Sequence, residues 1–161
     1  MVEMTLHYDF FTLFKSPWFW SPFLGWSTAQ FIKLCIDFAH TKRIDFSYFV
    51  STGGMPSAHS AMVSALATSI GMTEGFGSPI FALAISFAAV TMFDAAGVRY
   101  AASQQARLLN QITEELFTKH TFNVPRLKEM LGHTRKEVLA GMVTGITVAV
   151  IVIKLWAHFL R

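Results

Sequence analysis

Charge is scarce in this chain. Only 14% of its 161 residues are Asp, Glu, Lys or Arg, against 53% apolar, and a mean hydropathy of +0.44 is too high for an ordinary water-soluble domain of this length. Cysteine is nearly missing: Cys35 stands alone, so no intramolecular disulfide can form and a disulfide-built scaffold is excluded. The first fourteen residues hold Glu3 and Asp9 but no Lys or Arg. They therefore lack the basic start of a signal peptide and the Arg-rich character of a transit peptide, and the start is expected to be mature protein. Internal repeats, low-complexity tracts and linkers are absent as well, which leaves one membrane-embedded helical domain over 1–161 as the expectation.

What the chain has instead is apolar length. Spanning a bilayer takes about 20 mainly apolar residues, and four stretches come up to that or near it: roughly 17–39, 57–73, 78–98 and 137–158. The expected fold class is all-α, an integral membrane helical bundle of about four spans. Beyond the third span, Ala101, Leu108, Leu109, Ile112 and Leu116 recur as a helical stripe, with Gln104, Arg107, Gln111 and Glu114 mostly elsewhere. This predicts a cytoplasmic helical extension. An aromatic run from Tyr8 to Phe23, including Trp18 and Trp20, reads as interfacial anchoring.

Orientation follows from the basic residues, which are retained on the cytoplasmic side of spans. Nine of the thirteen lie in two connections: Lys42 and Arg43 after the first span, and Arg99, Arg107, Lys119, Arg126, Lys128, Arg135 and Lys136 between the third and fourth. The turn Thr73-Glu74-Gly75-Phe76-Gly77 has none and is expected on the other side with both termini. The basic loop is the only feature that favours nucleic acid, and no nucleic-acid partner is expected. The same basic residues would attract anionic headgroups.

Polar residues inside so apolar a chain mark places where something must be bound or paired. Gln30, Lys33 and Asp37 share one face of the first span. Lys33 and Asp37 either form an i,i+4 pair or line a cavity. Gly53-Gly54-Met55-Pro56-Ser57-Ala58-His59-Ser60 opens the second span. Its glycines permit positive torsions, Pro56 stops a preceding helix, and Ser57 can cap the next one. Free N–H groups at such a start favour phosphate, and His59, one turn in, is placed to protonate a leaving oxygen; the plain alternative makes Ser57 a cap and His59 a packing residue. Gly132-His133-Thr134-Arg135-Lys136-Glu137 opens the fourth span. Glu137 lies four residues past His133, in reach of one imidazole nitrogen, which is how a carboxylate orients a nucleophilic histidine. Thr134 and Glu137 also spell a capping box, and both roles are compatible. Small residues four apart on the fourth span, matched by Ala61, Ala65 and Ser69 on the second, would bring both histidines to one end. Asp94, near the end of the third span, has Arg99 or Lys33 as candidate partners.

Pro56-Ser57-Ala58-His59 resembles the second motif of the type 2 phosphatidic acid phosphatase superfamily, which also includes vanadium-dependent haloperoxidases. His133-x-x-x-Glu137-Val138 resembles the end of its third motif. Taken with Asp94-Ala95-Ala96-Gly97-Val98-Arg99, these segments look like the divergent membrane branch of that superfamily, over about residues 15–157. The resemblance implies that His133 attacks phosphorus, Glu137 orients it and His59 protonates the leaving alcohol, with Ser57 and the Gly54 amide binding phosphate oxygens. The superfamily's first motif and the arginine of its third are not found here. Lys33, or Lys42 with Arg43, stands as a substitute for the one, and Arg99 or Lys128 for the other; Asp94 completes the candidate binding set. The resemblance implies metal-independent chemistry, and no cluster has ligand spacing, so neither metal nor cofactor is expected. The function expected is a membrane phosphatase acting on a prenyl or glycerophospholipid phosphate or diphosphate at the cytoplasmic face of the plasma membrane. The alternative is a non-catalytic membrane protein that binds or moves phosphorylated lipids; association of the chain with further copies of itself is open in both.

Overall fold

A computed structural model describes residues 10–42, 54–117, 127 and 132–159. A short 3₁₀ turn, Phe10–Lys15, leads into α1 (Pro17–Thr41), followed by α2 (Ala58–Glu74), α3 (Pro79–Ala96), α4 (Val98–Phe117) and α5 (Arg135–Phe159). The four apolar stretches expected to span appear as the helices α1, α2, α3 and α5, each boundary within two residues of the expected one. Among the described residues there is no strand.

Local chemistry explains the ends. Pro17 and Pro79 sit in the first turns of α1 and α3, where a missing N–H costs nothing. Ser57 and Ser78 cap α2 and α3 by accepting the N–H groups of Ser60 and Phe81. Helix α1 closes on Lys42 in the left-handed conformation, its N–H returning to Phe38. Helix α3 breaks at Gly97, whose N–H donates to Phe93 O (2.8 Å), and α4 starts at the next residue.

Helix α2 is the middle of the bundle, packed by α1, α3 and α5, and it is built from small residues for that reason. Ala61, Ala65, Ser60 and Ser69 are fully buried. Two α5 glycines lie directly on α2's backbone: a Cβ at Gly141 would run into the Ser57 carbonyl, and one at Gly145 into the Ala61 carbonyl. From the other side Gly25 of α1 meets Ala61 and Ala65. In lipid, where apolar side chains gain little by meeting each other, such backbone approach is what holds helices together. The large side chains point outward; Leu139, Val143, Ile151 and Leu155 of α5 and Leu83, Phe87 and Val90 of α3 are exposed.

The segment Pro79–Glu115 and α5 are each long and apolar enough to cross a membrane. Helix α1, with 25 residues, reaches about 37 Å, but its inner face carries Gln30 and Lys33. Helix α2, with 17, reaches about 25 Å, short of the roughly 30 Å hydrocarbon layer. Its mid-bundle position explains why it needs neither length nor bulk. Trp18 of α1 donates its indole N–H to Thr73 Oγ1 at the far end of α2 (2.6 Å), so the aromatic run lies at the opposite end from His59.

Gly145→Ala should therefore destabilise the bundle even though alanine is the better helix former by about 1 kcal/mol. Overpacking against a carbonyl that no rotamer change can relieve costs about 1–3 kcal/mol. Gly77→Ala, where a Cβ meets nothing within 4 Å, should change stability by less than about 0.5 kcal/mol. Unfolding midpoints in mixed micelles would compare the two, and an equally harmless Gly145→Ala would contradict the packing described.

Candidate functional site

The N-terminal ends of α2 and α5 meet, and backbone bonds fix how. Ser57 N–H donates to the Glu137 carbonyl (3.0 Å), so the loop before α2 is tied to the first turn of α5. Ahead of α5, Thr134 and Glu137 form the capping box: Glu137 N–H donates to Thr134 Oγ1 (3.4 Å), and Thr134 N–H to Glu137 Oε2 (3.2 Å). The same Oε2 lies 2.9 Å from Nδ1 of His133. An ionised carboxylate only accepts, so Nδ1 carries the proton and the Nε2 lone pair is directed away from Glu137. Cap and orienter are one carboxylate.

His133 is held from the other side by the α3–α4 break. Its N–H donates to the Ala95 carbonyl (3.0 Å), and Gly132, at φ 116°, lies so close to the backbone of Arg99 and Tyr100 that no side chain fits there. Its side chain is 3% exposed. That burial holds the imidazole below its ordinary pKa of 6.5, against the opposing pull of the Glu137 hydrogen bond; the positive charge of Lys33 adds to the lowering, while the Glu137 charge and the Gly54 carbonyl resist it. The resting imidazole is neutral at pH 7.

A narrow cleft brings the pieces together: His59, Thr91, Asp94, Ala95, Arg99, Gly132 and His133 line it. Arg99, His133 and Lys33 all lie within electrostatic reach of His59. Both histidines thus open onto one space. Arg99 Nε donates to Asp94 Oδ2 at 2.6 Å, which settles the partner of Asp94. Lys33 is 4% exposed and runs its Cδ and Cε past Gly54 toward Glu137. It makes no pair with Asp37; the Thr41 hydroxyl donates to the Asp37 carbonyl (3.0 Å), with the Asp37 carboxylate 3.5 Å away.

One expected ligand, Ser57, is placed differently. Ser57 is fully buried; its N–H is spent on Glu137, and its Oγ accepts the Ser60 N–H (3.4 Å) and hydroxyl (3.0 Å), so it caps α2 rather than facing the cleft. Gly54, at φ 88°, brings its carbonyl to the His133 imidazole. Lys42 lies over the Phe38 ring, and Lys128 and Arg43 fall outside the described residues. Among the described residues no three His, Cys, Asp or Glu side chains gather as a metal-holding group.

The residues alone did not single out Thr91 and Ala95. Thr91 stands three before Asp94 and so shares its helix face, a signal open to reading; Ala95 acts through a carbonyl and leaves no trace in side-chain chemistry. Asn110 pairs with the Leu127 peptide: its Nδ2 donates to Leu127 O and its Oδ1 accepts Leu127 N–H, both at 3.0 Å.

Residues 14–148 match the model of the Divergent PAP2 family. A relative, the uncharacterized membrane protein YuiD of Bacillus subtilis (strain 168), is 40% identical over 134 residues, covering 76% of this chain and 85% of its own. No solved structure matches. The chain belongs to the Divergent PAP2 family and is a membrane protein.

Because burial dominates, His133 should titrate below 6.5, and Glu137→Gln should push it lower still by removing both the charge and the stronger hydrogen bond that favour imidazolium. A proton taken up more readily by the unfolded chain also makes the fold lose stability as pH falls from about 6.5 toward the depressed value. Imidazole NMR of histidine-labelled protein would read both variants; a rise in Glu137→Gln contradicts the assignment.

Proposed function

We propose that this protein is a membrane phosphatase that hydrolyses a lipid phosphate or diphosphate, prenyl or glycerophospholipid, through a phosphohistidine on His133. The observation that carries this reading is the 2.9 Å Nδ1 to Glu137 bond on a buried histidine that shares a cleft with His59 and Arg99. Membership of the Divergent PAP2 family supports it.

In the first step the Nε2 lone pair attacks phosphorus. The P–O bond to the leaving group breaks, the lipid alcohol for a monophosphate or the lipid monophosphate for a diphosphate attacked at its terminal phosphorus, and protonated His59 gives its proton to the leaving oxygen. In the second, water attacks the phosphohistidine, neutral His59 takes the water proton, and the P–N bond breaks to release inorganic phosphate. Glu137 stabilises the charge that His133 develops. Phosphoryl transfer needs mostly positioning and charge neutralisation, and Arg99 and Lys33, from α4 and α1, supply the cations that the superfamily draws from motifs missing here. Asp94 aims Arg99 through their 2.6 Å pair. The basic residues flanking the cleft, Arg99, Arg135 and Lys136, favour the cytoplasmic face of the plasma membrane, where a headgroup is within reach.

Phosphate release from a panel of prenyl and glycerolipid phosphates tests this with detergent-purified protein. His133→Ala should abolish release and the acid-labile protein phosphate; His59→Ala should slow turnover by about 10²–10⁴ while phosphohistidine still forms. The acid limb of kcat/KM should fall below pH 6.5, since only neutral His133 attacks. Saturable lipid binding with no release from any substrate would replace catalysis by the lipid-binding reading.

A further inference from the structure

Helix α4 turns the wrong face inward for a helix that packs on a protein. At 3.6 residues per turn, Val98, Leu108, Leu109 and Ile112 fall on one stripe roughly 100° wide. That stripe is exposed: Val98 by 65%, Leu108 by 57%, Leu109 by 51% and Ile112 by 42%. The side turned toward the rest of the chain carries the small and polar residues instead, with Ser103 and Ala106 buried and Asn110 bound to the Leu127 peptide. Among the described elements α4 packs against α3 alone.

The exposed stripe is continuous with a surface whose surroundings are apolar. Only Gly97 separates α4 from α3, and a shallow, mainly apolar groove lined by Ala89, Val90, Phe93 and Val98, with Asp94 at its edge, spans the junction. Val90 and Phe93 lie on the outer side of a segment long and apolar enough to cross a membrane. Whatever solvates Phe93 also reaches Val98, and from Val98 the stripe runs on past Ala101 and Ala102, with Gln105 the one polar side chain on it, to Leu108, Leu109 and Ile112. On the remaining face Gln104, Arg107, Gln111 and Glu114 are polar or charged, the distribution of a helix lying in a bilayer interface.

We infer that α4 is an interfacial helix, seated with Val98, Leu108, Leu109 and Ile112 in the acyl boundary of the bilayer and Gln104 and Gln111 toward water. The consequence for the chain is positional: α4 carries Arg99 at its first turn and abuts Gly132, so its seating holds the cleft at headgroup depth. This rests on no catalytic step.

The test is site-directed spin labelling of the full chain in vesicles of phosphatidylcholine and phosphatidylglycerol, in a Cys35→Ser background. Single cysteines replace Leu108, Leu109, Ile112, Gln104 and Gln111, and collision with oxygen is compared with collision with a water-soluble nickel chelate. The expected result is a high oxygen-to-nickel ratio at 108, 109 and 112 and a reversed ratio at 104 and 111. Nickel access at all five positions would overturn the proposal in favour of a helix in water. Loss of both collisions at 108, 109 and 112, with dipolar broadening between labelled chains, would overturn it in favour of a second copy covering the stripe. If one stripe variant fails to fold, the other two read the same face.

Discussion

How near α5 can come to α2 governs everything at the cleft. Gly141 and Gly145 let the α5 backbone rest on the carbonyls of Ser57 and Ala61, and at that separation the Ser57 N–H reaches the Glu137 carbonyl. The two histidines come from segments 74 residues apart in sequence, by the difference of 133 and 59, and each sits at or next to the first turn of its helix. Helices that end together present their first turns together, so the meeting of His59 and His133 is a result of helix packing and not of any loop. A residue with a side chain at 141 or 145 would separate them before it disturbed anything else.

The second constraint is the break at Gly97. An unbroken α3 would spend the Ala95 carbonyl on its own ladder; with the helix interrupted, that carbonyl accepts the His133 N–H, and Arg99 emerges where it can return to Asp94. Five helices therefore meet around the cleft, each contributing something different: α1 the buried Lys33, α2 His59, α3 Asp94 and a carbonyl, α4 Arg99, and α5 the carboxylate that orients His133. Water is largely kept from His133, which strengthens every charge interaction around it.

Helix positions were legible because apolar length and cap residues are local properties: Ser57 and Thr134 each announce a start that the structure bears out. The pairing of His133 with Glu137 was legible too, since i,i+4 geometry is built into a helical turn. Long-range choices were not. Lys33 had two plausible duties on one face, toward Asp37 or toward a cavity, and only the approach of Gly54 and Glu137 decides between them. Ser57 shows the same ambiguity with the opposite outcome: a serine before a helix is equally fit to cap it or to hold an anion, and its burial against α5 leaves it the cap. Which way α4 turns its apolar stripe was invisible for a related reason, because a periodic pattern gives a face but not its neighbour.

The shared use of Glu137 has a consequence for biogenesis. Its carboxylate closes the capping box and aims His133 with the same oxygen, and its carbonyl holds the loop of α2. A freshly inserted chain whose α5 has not yet docked therefore keeps the His133 to Glu137 pair, which is local to one helical turn, but lacks the burial of the imidazole and the neighbours His59 and Arg99. The cleft is thus completed by assembly itself: His59, Arg99 and His133 come to line one space only when the elements that carry them have packed together.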